Sequence, residues 1–136
     1  MDNQFLDDYN HFVDTLLSKP SKDVSVLLAR YLELDGVESV NIARLVTASD
    51  GLCSESGELK EIIKKILYQG KPLTADTHFH MLRELGDVAF YWMVACQALG
   101  QNPSDVIKEN VRKLEARYPG GQFDIGNSEV RQQGDL

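Results

Sequence analysis

One stretch of the sequence limits the possible folds more than any other. Residues 85–99, LGDVAFYWMVACQAL, carry a single formal charge, that of Asp87. A helix with this sequence has apolar side chains on nearly every side, which is typical of a central, buried helix. An isolated buried carboxylate would cost several kcal/mol or would take up a proton, whereas coordination of a cation removes that cost. We therefore expect Asp87 to belong to a polar site inside a helical core.

Helical periodicity continues along the rest of the chain, whereas strand and turn signals are sparse. Proline and glycine breaks separate five predicted helices, over about residues 4–18, 23–34, 41–68, 78–99 and 103–118. The sequence therefore predicts an all-α protein, a bundle of four or five helices, with Asp23 as the N-cap of the second helix. We expect a single domain over residues 1–123, followed by a polar tail over residues 124–136 that is flexible or reaches another subunit.

Two acidic pairs lie on the predicted helices, Glu55 with Glu58 and Glu84 with Asp87. Residues three positions apart share one side of a helix, so each pair can direct both carboxylates the same way. On a helical wheel, Glu55 lies inside the apolar stripe of its helix and Glu58 lies on the edge of that stripe. Gathered carboxylates repel one another unless cations lie between them, and Mg²⁺ or Mn²⁺ suits all-oxygen ligands. The pairs predict a divalent-metal centre, although either pair alone could be a solvated helix face.

A row of polar side chains follows the apolar stripe of the last predicted helix. The row consists of Asn110, Lys113 and Arg117. Arginine forms bidentate contacts with phosphate, so this row can bind a phosphorylated ligand. Cations near a helix C-terminus are also explained by the helix dipole, and that alternative stays open. No Glu-x-x-His accompanies the acidic pairs, which argues against a di-iron site.

The order of these motifs resembles that of the MazG-like, all-α nucleoside triphosphate pyrophosphohydrolases. Glu55-x-x-Glu58 is followed by a spacer over residues 59–83, by Glu84-x-x-Asp87, and then by Asn110-x-x-Lys113-x-x-x-Arg117-Tyr118-Pro119. The segment KLEARYPGGQF is especially similar to the short, single-domain members from bacteriophages. The resemblance covers about residues 41–123.

The resemblance implies a fold, a reaction and a set of site residues. The fold would be a helix bundle of the all-α NTP pyrophosphatase type, and the reaction would cleave a triphosphate between the α- and β-phosphates. Two or three Mg²⁺ ions per site, replaceable by Mn²⁺, are expected on Glu55, Glu58, Glu84 and Asp87. Glu55 or Glu58 would also act in catalysis by accepting a proton from the attacking water. The expected contacts to the triphosphate come from basic, amide and phenol side chains: Lys113, Arg117, Asn110, Tyr118, Lys64 and Lys65.

The expected substrate is a nucleoside or deoxynucleoside triphosphate, with dGTP as the candidate. Aromatic side chains that could stack on its base are Phe5, Tyr9, Phe12 and Trp92. A dUTPase-like, dCTPase-like or phosphoribosyl-ATP pyrophosphatase activity is the enzymatic alternative. The non-enzymatic alternative is a metal-binding helical module that only binds a partner.

Composition narrows the expected partners and location. A net charge of −7 disfavours binding of nucleic acid through phosphate contacts. The N-terminus is acidic where a signal peptide is basic, and no apolar run approaches the roughly 20 residues of a membrane span. We therefore expect a cytoplasmic protein, in the host cytoplasm if phage-encoded, with Cys53 and Cys96 as reduced core thiols. The wide apolar helix faces and the family resemblance together favour a homodimer or homotetramer.

Overall fold

The computed structural model describes residues 3–130, and all regular secondary structure in this range is helical. The α-helices are α1 (Asn3–Leu16), α2 (Lys19–Lys22), α3 (Val24–Leu34), α4 (Ile42–Tyr68), α5 (Ala75–Ala98), α6 (Pro103–Arg117) and α7 (Ile125–Glu129). A short 3₁₀ turn, Val37–Ser39, precedes α4. In this part of the chain, none of the helices combines the length and the apolar character needed to cross a membrane. The all-α prediction is confirmed.

The chain divides into two compact units, Met1–Ala43 and Arg44–Leu136. In the first unit α2 contacts α3, and Asp23 caps the start of α3 as expected. The hydroxyl and N–H of Ser25, and then the N–H of Val26, donate to the Asp23 carboxylate and hold its pKa below the usual value. That a single domain spans residues 1–123 stays a prediction.

In the second unit α4 and α5 run antiparallel. Near one end, Arg44 Nη1 donates to Gln97 Oε1 at 3.5 Å. Further along, the ring of Tyr91 lies against Gly51, where a Cβ atom would come within 2.2 Å of Tyr91 Cδ1. The absence of a side chain at Gly51 therefore allows the ring and the α4 backbone to approach closely.

Helix α5 begins at Ala75, three residues before the expected start. Thr74 and Thr77 form a reciprocal capping box, in which each side chain bonds to the backbone N–H of the other. Thr77 is buried, and its hydroxyl also donates to the carbonyl of Pro72 at 3.2 Å. Residues 75–77, which lie before the predicted start of this helix, therefore form its first turn.

Helix α5 is not the central, buried helix that its composition predicts. Of its residues, Thr77, Cys96 and Ala98 are buried, whereas Asp87 is exposed and Phe90 is 61% exposed. A helix with apolar side chains all round needs neighbours on every side, and one chain supplies α4 and α6 beside it in this unit. Much of the apolar surface of α5 is consequently open to solvent in the single chain.

One further expectation is wrong. Cys53 is exposed, so only Cys96 is a core thiol. The predicted polar tail contains a short helix, α7, whose start is capped by the Asp124 side chain, which accepts a hydrogen bond from the N–H of Asn127 at 2.8 Å. That the tail is flexible or reaches another subunit stays a prediction. The remainder of that tail, residues 131–136, lies outside the described residues.

Candidate metal centre

Three of the four expected metal ligands lie together where α4 faces α5. Glu55 and Glu58 from α4 and Glu84 from α5 each place one carboxylate oxygen within 4.8 Å of those of the other two. Glu55 and Glu84 are half-buried, and Glu58 is exposed. The three-residue spacing on α4 aligns the first two side chains, and the antiparallel course of α5 brings the third alongside. Such a set of hard oxygen donors fits Mg²⁺ or Mn²⁺.

Asp87, the fourth expected ligand, is exposed and lies outside this group of three. The negative charge of Asp87 nevertheless affects the titration of Glu55. Partial burial, followed by the negative charges of Glu58, Asp87 and Glu84, raises the pKa of the Glu55 carboxyl. Repulsion between the ionised carboxylates thus adds to the effect of burial, and a bound cation would relieve that repulsion.

The environment of the α4 carboxylates agrees with the helical wheel. The apolar residues that share the stripe with Glu55 are all half-buried: Leu59, Ile62, Ile63 and Ile66. Lys60, on the opposite side of the helix, is exposed. The acidic cluster therefore lies at the edge of an apolar contact surface rather than on a uniformly solvated face.

A cleft of about 260 Å³ opens beside the carboxylates. It is lined by acidic and basic side chains and one isoleucine: Glu58, Glu61, Ile62, Lys65, Lys71, His80 and Glu84. Lys65, an expected phosphate contact, lies in this cleft with its Nζ 3.4 Å from Glu61. Lys64 also forms an ion pair with Glu61, but does not line the cleft. The two lysines, Lys64 first, hold the pKa of Glu61 below its usual value.

The expected phosphate-binding residues of α6 do not line this cleft. Lys113 and Arg117 are half-buried, whereas Asn110 is exposed. Tyr118 follows the end of the helix, and its ring centroid lies 5.8 Å from that of Phe123 at the edge of an apolar groove. Helix α6 contacts α5, the helix that carries Glu84. Whether these four residues reach a triphosphate stays a prediction.

Comparison with known proteins identifies the family of the second unit. A family model described as the MazG nucleotide pyrophosphohydrolase domain matches residues 45–121, a range that includes both acidic pairs. The chain belongs to the MazG family. Membership of this family indicates nucleotide pyrophosphohydrolase activity with a divalent metal. Neither the curated proteins nor the solved structures contain a match to the chain.

Among the nitrogen-bearing side chains that line the cleft of this MazG domain, the sequence motifs predicted Lys65 but not Lys71 or His80. His80 precedes Glu84 by four residues and so shares its side of α5, and this spacing was an available signal. The placement of Lys71 depends on how the chain reverses direction after α4. Hydrophobic periodicity carries no information about that reversal.

Three aromatic candidates for base stacking lie outside the range matched by the MazG family. They are Phe5, Tyr9 and Phe12 of α1, and all three are exposed. Trp92, the fourth candidate, is half-buried on α5. The exposed aromatic side chains of α1 are not part of a core in the single chain, and their contact with a base stays a prediction.

Proposed function

We propose that this MazG-family chain hydrolyses a nucleoside triphosphate between its α- and β-phosphates, releasing the monophosphate and pyrophosphate. The observation that carries the proposal is the cluster of Glu55, Glu58 and Glu84 beside a cleft with basic side chains. A triphosphate is a polyanion, so carboxylates alone would repel it. Carboxylates that hold divalent cations, with lysines nearby, form a suitable site for it.

The carboxylates act first as metal ligands in this proposal. Glu55, Glu58 and Glu84, joined by Asp87, would hold two or three Mg²⁺ ions, which Mn²⁺ can replace. Bound Mg²⁺ supplies Lewis acidity toward phosphate oxygens and lowers the pKa of coordinated water. Glu55 or Glu58 accepts the proton of the attacking water.

Basic side chains are proposed to bind the phosphate groups. The position of Lys65 in the cleft supports a direct contact, and Lys64, which pairs with Glu61 as Lys65 does, would add a second one. Lys113 and Arg117 of α6 would stabilise the charge that develops on the pyrophosphate leaving group. Arg117 suits a bidentate contact. Asn110 of the same helix and Tyr118, which follows its end, would add hydrogen bonds.

The substrate and setting are proposed from the sequence. The KLEARYPGGQF segment supports a short, single-domain bacteriophage type of MazG protein acting in the host cytoplasm. A deoxynucleotide, with dGTP as the candidate, would suit such a protein.

We also propose that the active form is a homodimer or homotetramer. Support comes from large apolar side chains that are exposed on α5 and α6, among them Leu82, Leu85, Phe90, Ile107 and Val111. Burial of these side chains against further copies of the chain would stabilise an assembly.

A panel of ribonucleoside and deoxynucleoside triphosphates, incubated with Mg²⁺ and the full chain, tests the proposed reaction. We expect release of pyrophosphate, fastest from dGTP, and its loss in Glu58→Ala and Asp87→Asn. Preference for dUTP, dCTP or phosphoribosyl-ATP would favour the alternative activities. Release of single phosphate, or no turnover together with no change in stability on addition of metal, would contradict the proposal.

A further inference from the structure

The connection between α4 and α5 holds one lysine beside the end of α4. Lys71 follows Gly70, whose φ of 70° lies in the left-handed region that favours glycine. The N–H groups of Gln69 and Lys71 both donate to the carbonyl of Lys65, each at 3.1 Å. The chain therefore folds back onto the last turn of α4, and Pro72 stiffens the next step. The backbone at Lys71 is therefore fixed by a hydrogen bond to α4.

Lys71 lines the 260 Å³ cleft together with His80 of α5 and with the carboxylates Glu58 and Glu84. Within residues 3–130, neither Lys71 nor His80 belongs to an ion pair, whereas Lys65 lies 3.4 Å from Glu61. The ammonium group of Lys71 is thus available to a ligand anion. An imidazole ring has an N–H donor in either protonation state, so His80 can add a hydrogen bond.

The cleft has an acidic side and a basic end. Glu58 of α4 and Glu84 of α5 line it at the carboxylates, and the basic end follows at Lys65 in the last turn of α4 and at Lys71 just beyond that helix. Glu58 and Lys65 are seven residues apart, which is about 10 Å along a helix. A triphosphate whose α-phosphate lies at the carboxylates would extend its outer phosphates toward the basic end.

We propose that Lys71 and His80 bind the outer, β- and γ-phosphates of the substrate, and therefore also the pyrophosphate product. The identity of this ligand rests on the proposed function. The Lys71 ammonium group is a point charge on a flexible side chain. It can follow a phosphate group that changes position during cleavage better than the planar guanidinium group of an arginine can. His80 supplies a directed hydrogen bond from the α5 side of the cleft.

Calorimetric titration of pyrophosphate into the full chain, in buffer with saturating Mg²⁺, tests this inference without requiring turnover. We expect Lys71→Gln to raise the Kd for pyrophosphate about tenfold and His80→Gln to raise it about threefold, since charge-assisted contacts are the stronger ones. Lys71→Arg, which keeps the charge, should restore most of the affinity. Lys60→Gln on the exposed side of α4 is the matched control and should bind as the wild type does. Deoxyguanosine monophosphate, which lacks outer phosphates, should bind Lys71→Gln and the wild type equally.

The outcomes separate this inference from the proposed function. Unchanged pyrophosphate affinity in both Lys71→Gln and His80→Gln, or no pyrophosphate binding by the wild type, would overturn the inference. If the wild type binds pyrophosphate in a Lys71-dependent way but releases none from any triphosphate, the proposed reaction fails and the phosphate-binding role remains. If turnover occurs and its KM and pyrophosphate inhibition are the same in Lys71→Gln, the reaction remains and the role of Lys71 is rejected.

Discussion

At the residue scale, Glu55 links the electrostatics of the site to its chemistry. Partial burial and the neighbouring charges of Glu58, Asp87 and Glu84 raise the pKa of its carboxyl. The folded state therefore holds the Glu55 proton more tightly than the unfolded chain does. The resulting stabilisation is fully present below the unfolded-state pKa and is lost as the pH rises through the raised folded-state pKa. A bound cation competes for the same carboxylate and replaces the proton at higher pH.

Replacement of Glu55 with glutamine tests this electrostatic description. In EDTA, we expect Glu55→Gln to melt at a higher temperature than the wild type near pH 8, and this advantage to shrink toward about pH 4, where glutamate is protonated. Addition of Mg²⁺ should raise the melting temperature of the wild type more than that of the variant. Thermal unfolding followed by circular dichroism measures both effects. Equal melting temperatures at every pH, with equal stabilisation by Mg²⁺, would contradict the description.

At the scale of the helices, the position of the carboxylates depends on how closely α4 and α5 approach. Gly51 and Tyr91 meet one turn away from Glu55 and Asp87 on their respective helices. A change in the helix separation at this contact would therefore move the two acidic pairs relative to each other. The close approach is therefore a structural requirement of the proposed metal centre as well as of the fold.

Alanine substitutions at two glycines of α4 separate this packing effect from helix propensity. Gly51→Ala places a Cβ 2.2 Å from the Tyr91 ring, and we expect it to destabilise the chain by about 1–3 kcal/mol. Gly57→Ala meets no atom within 4 Å, so it should stabilise the helix by about 0.5–1 kcal/mol. Urea unfolding of both variants measures the difference. The packing argument fails if Gly51→Ala is as stable as Gly57→Ala.

At the scale of the whole molecule, sequence reasoning succeeded where the signal is local. Periodicity and breakers located the long helices, and the three-residue spacing of Glu55 and Glu58 put both on one side of α4. Burial could not be predicted, because the exposure of Phe90 depends on neighbours that the periodicity of α5 does not specify. Lys71 was missed because its placement follows from the reversal at Gly70. The Thr74–Thr77 capping box starts α5 at Ala75, three residues before the start that hydrophobic periodicity predicts.

The proposed assembly is also tested at this scale. Val111 lies on the exposed apolar stripe of α6, and Ala116 lies on the other side of the same helix, where it too is exposed. Light scattering after size-exclusion chromatography should give a dimer or tetramer for the wild type and for Ala116→Glu. Val111→Glu should lower the mass toward that of a monomer, because a charge on this stripe opposes its burial. A monomeric wild type, or identical masses for the two variants, would count against an interface on this face.

The central claim is that the cluster of Glu55, Glu58 and Glu84 is the metal centre of a pyrophosphohydrolase. Its most direct test is to count the pyrophosphate released per triphosphate consumed by the wild type, Glu58→Gln and Lys60→Gln, each with Mg²⁺ and with EDTA. The claim predicts one pyrophosphate per triphosphate for the wild type and Lys60→Gln, no activity in EDTA, and a loss of about 100-fold or more in Glu58→Gln. Full activity of Glu58→Gln, or orthophosphate as the product, would contradict it.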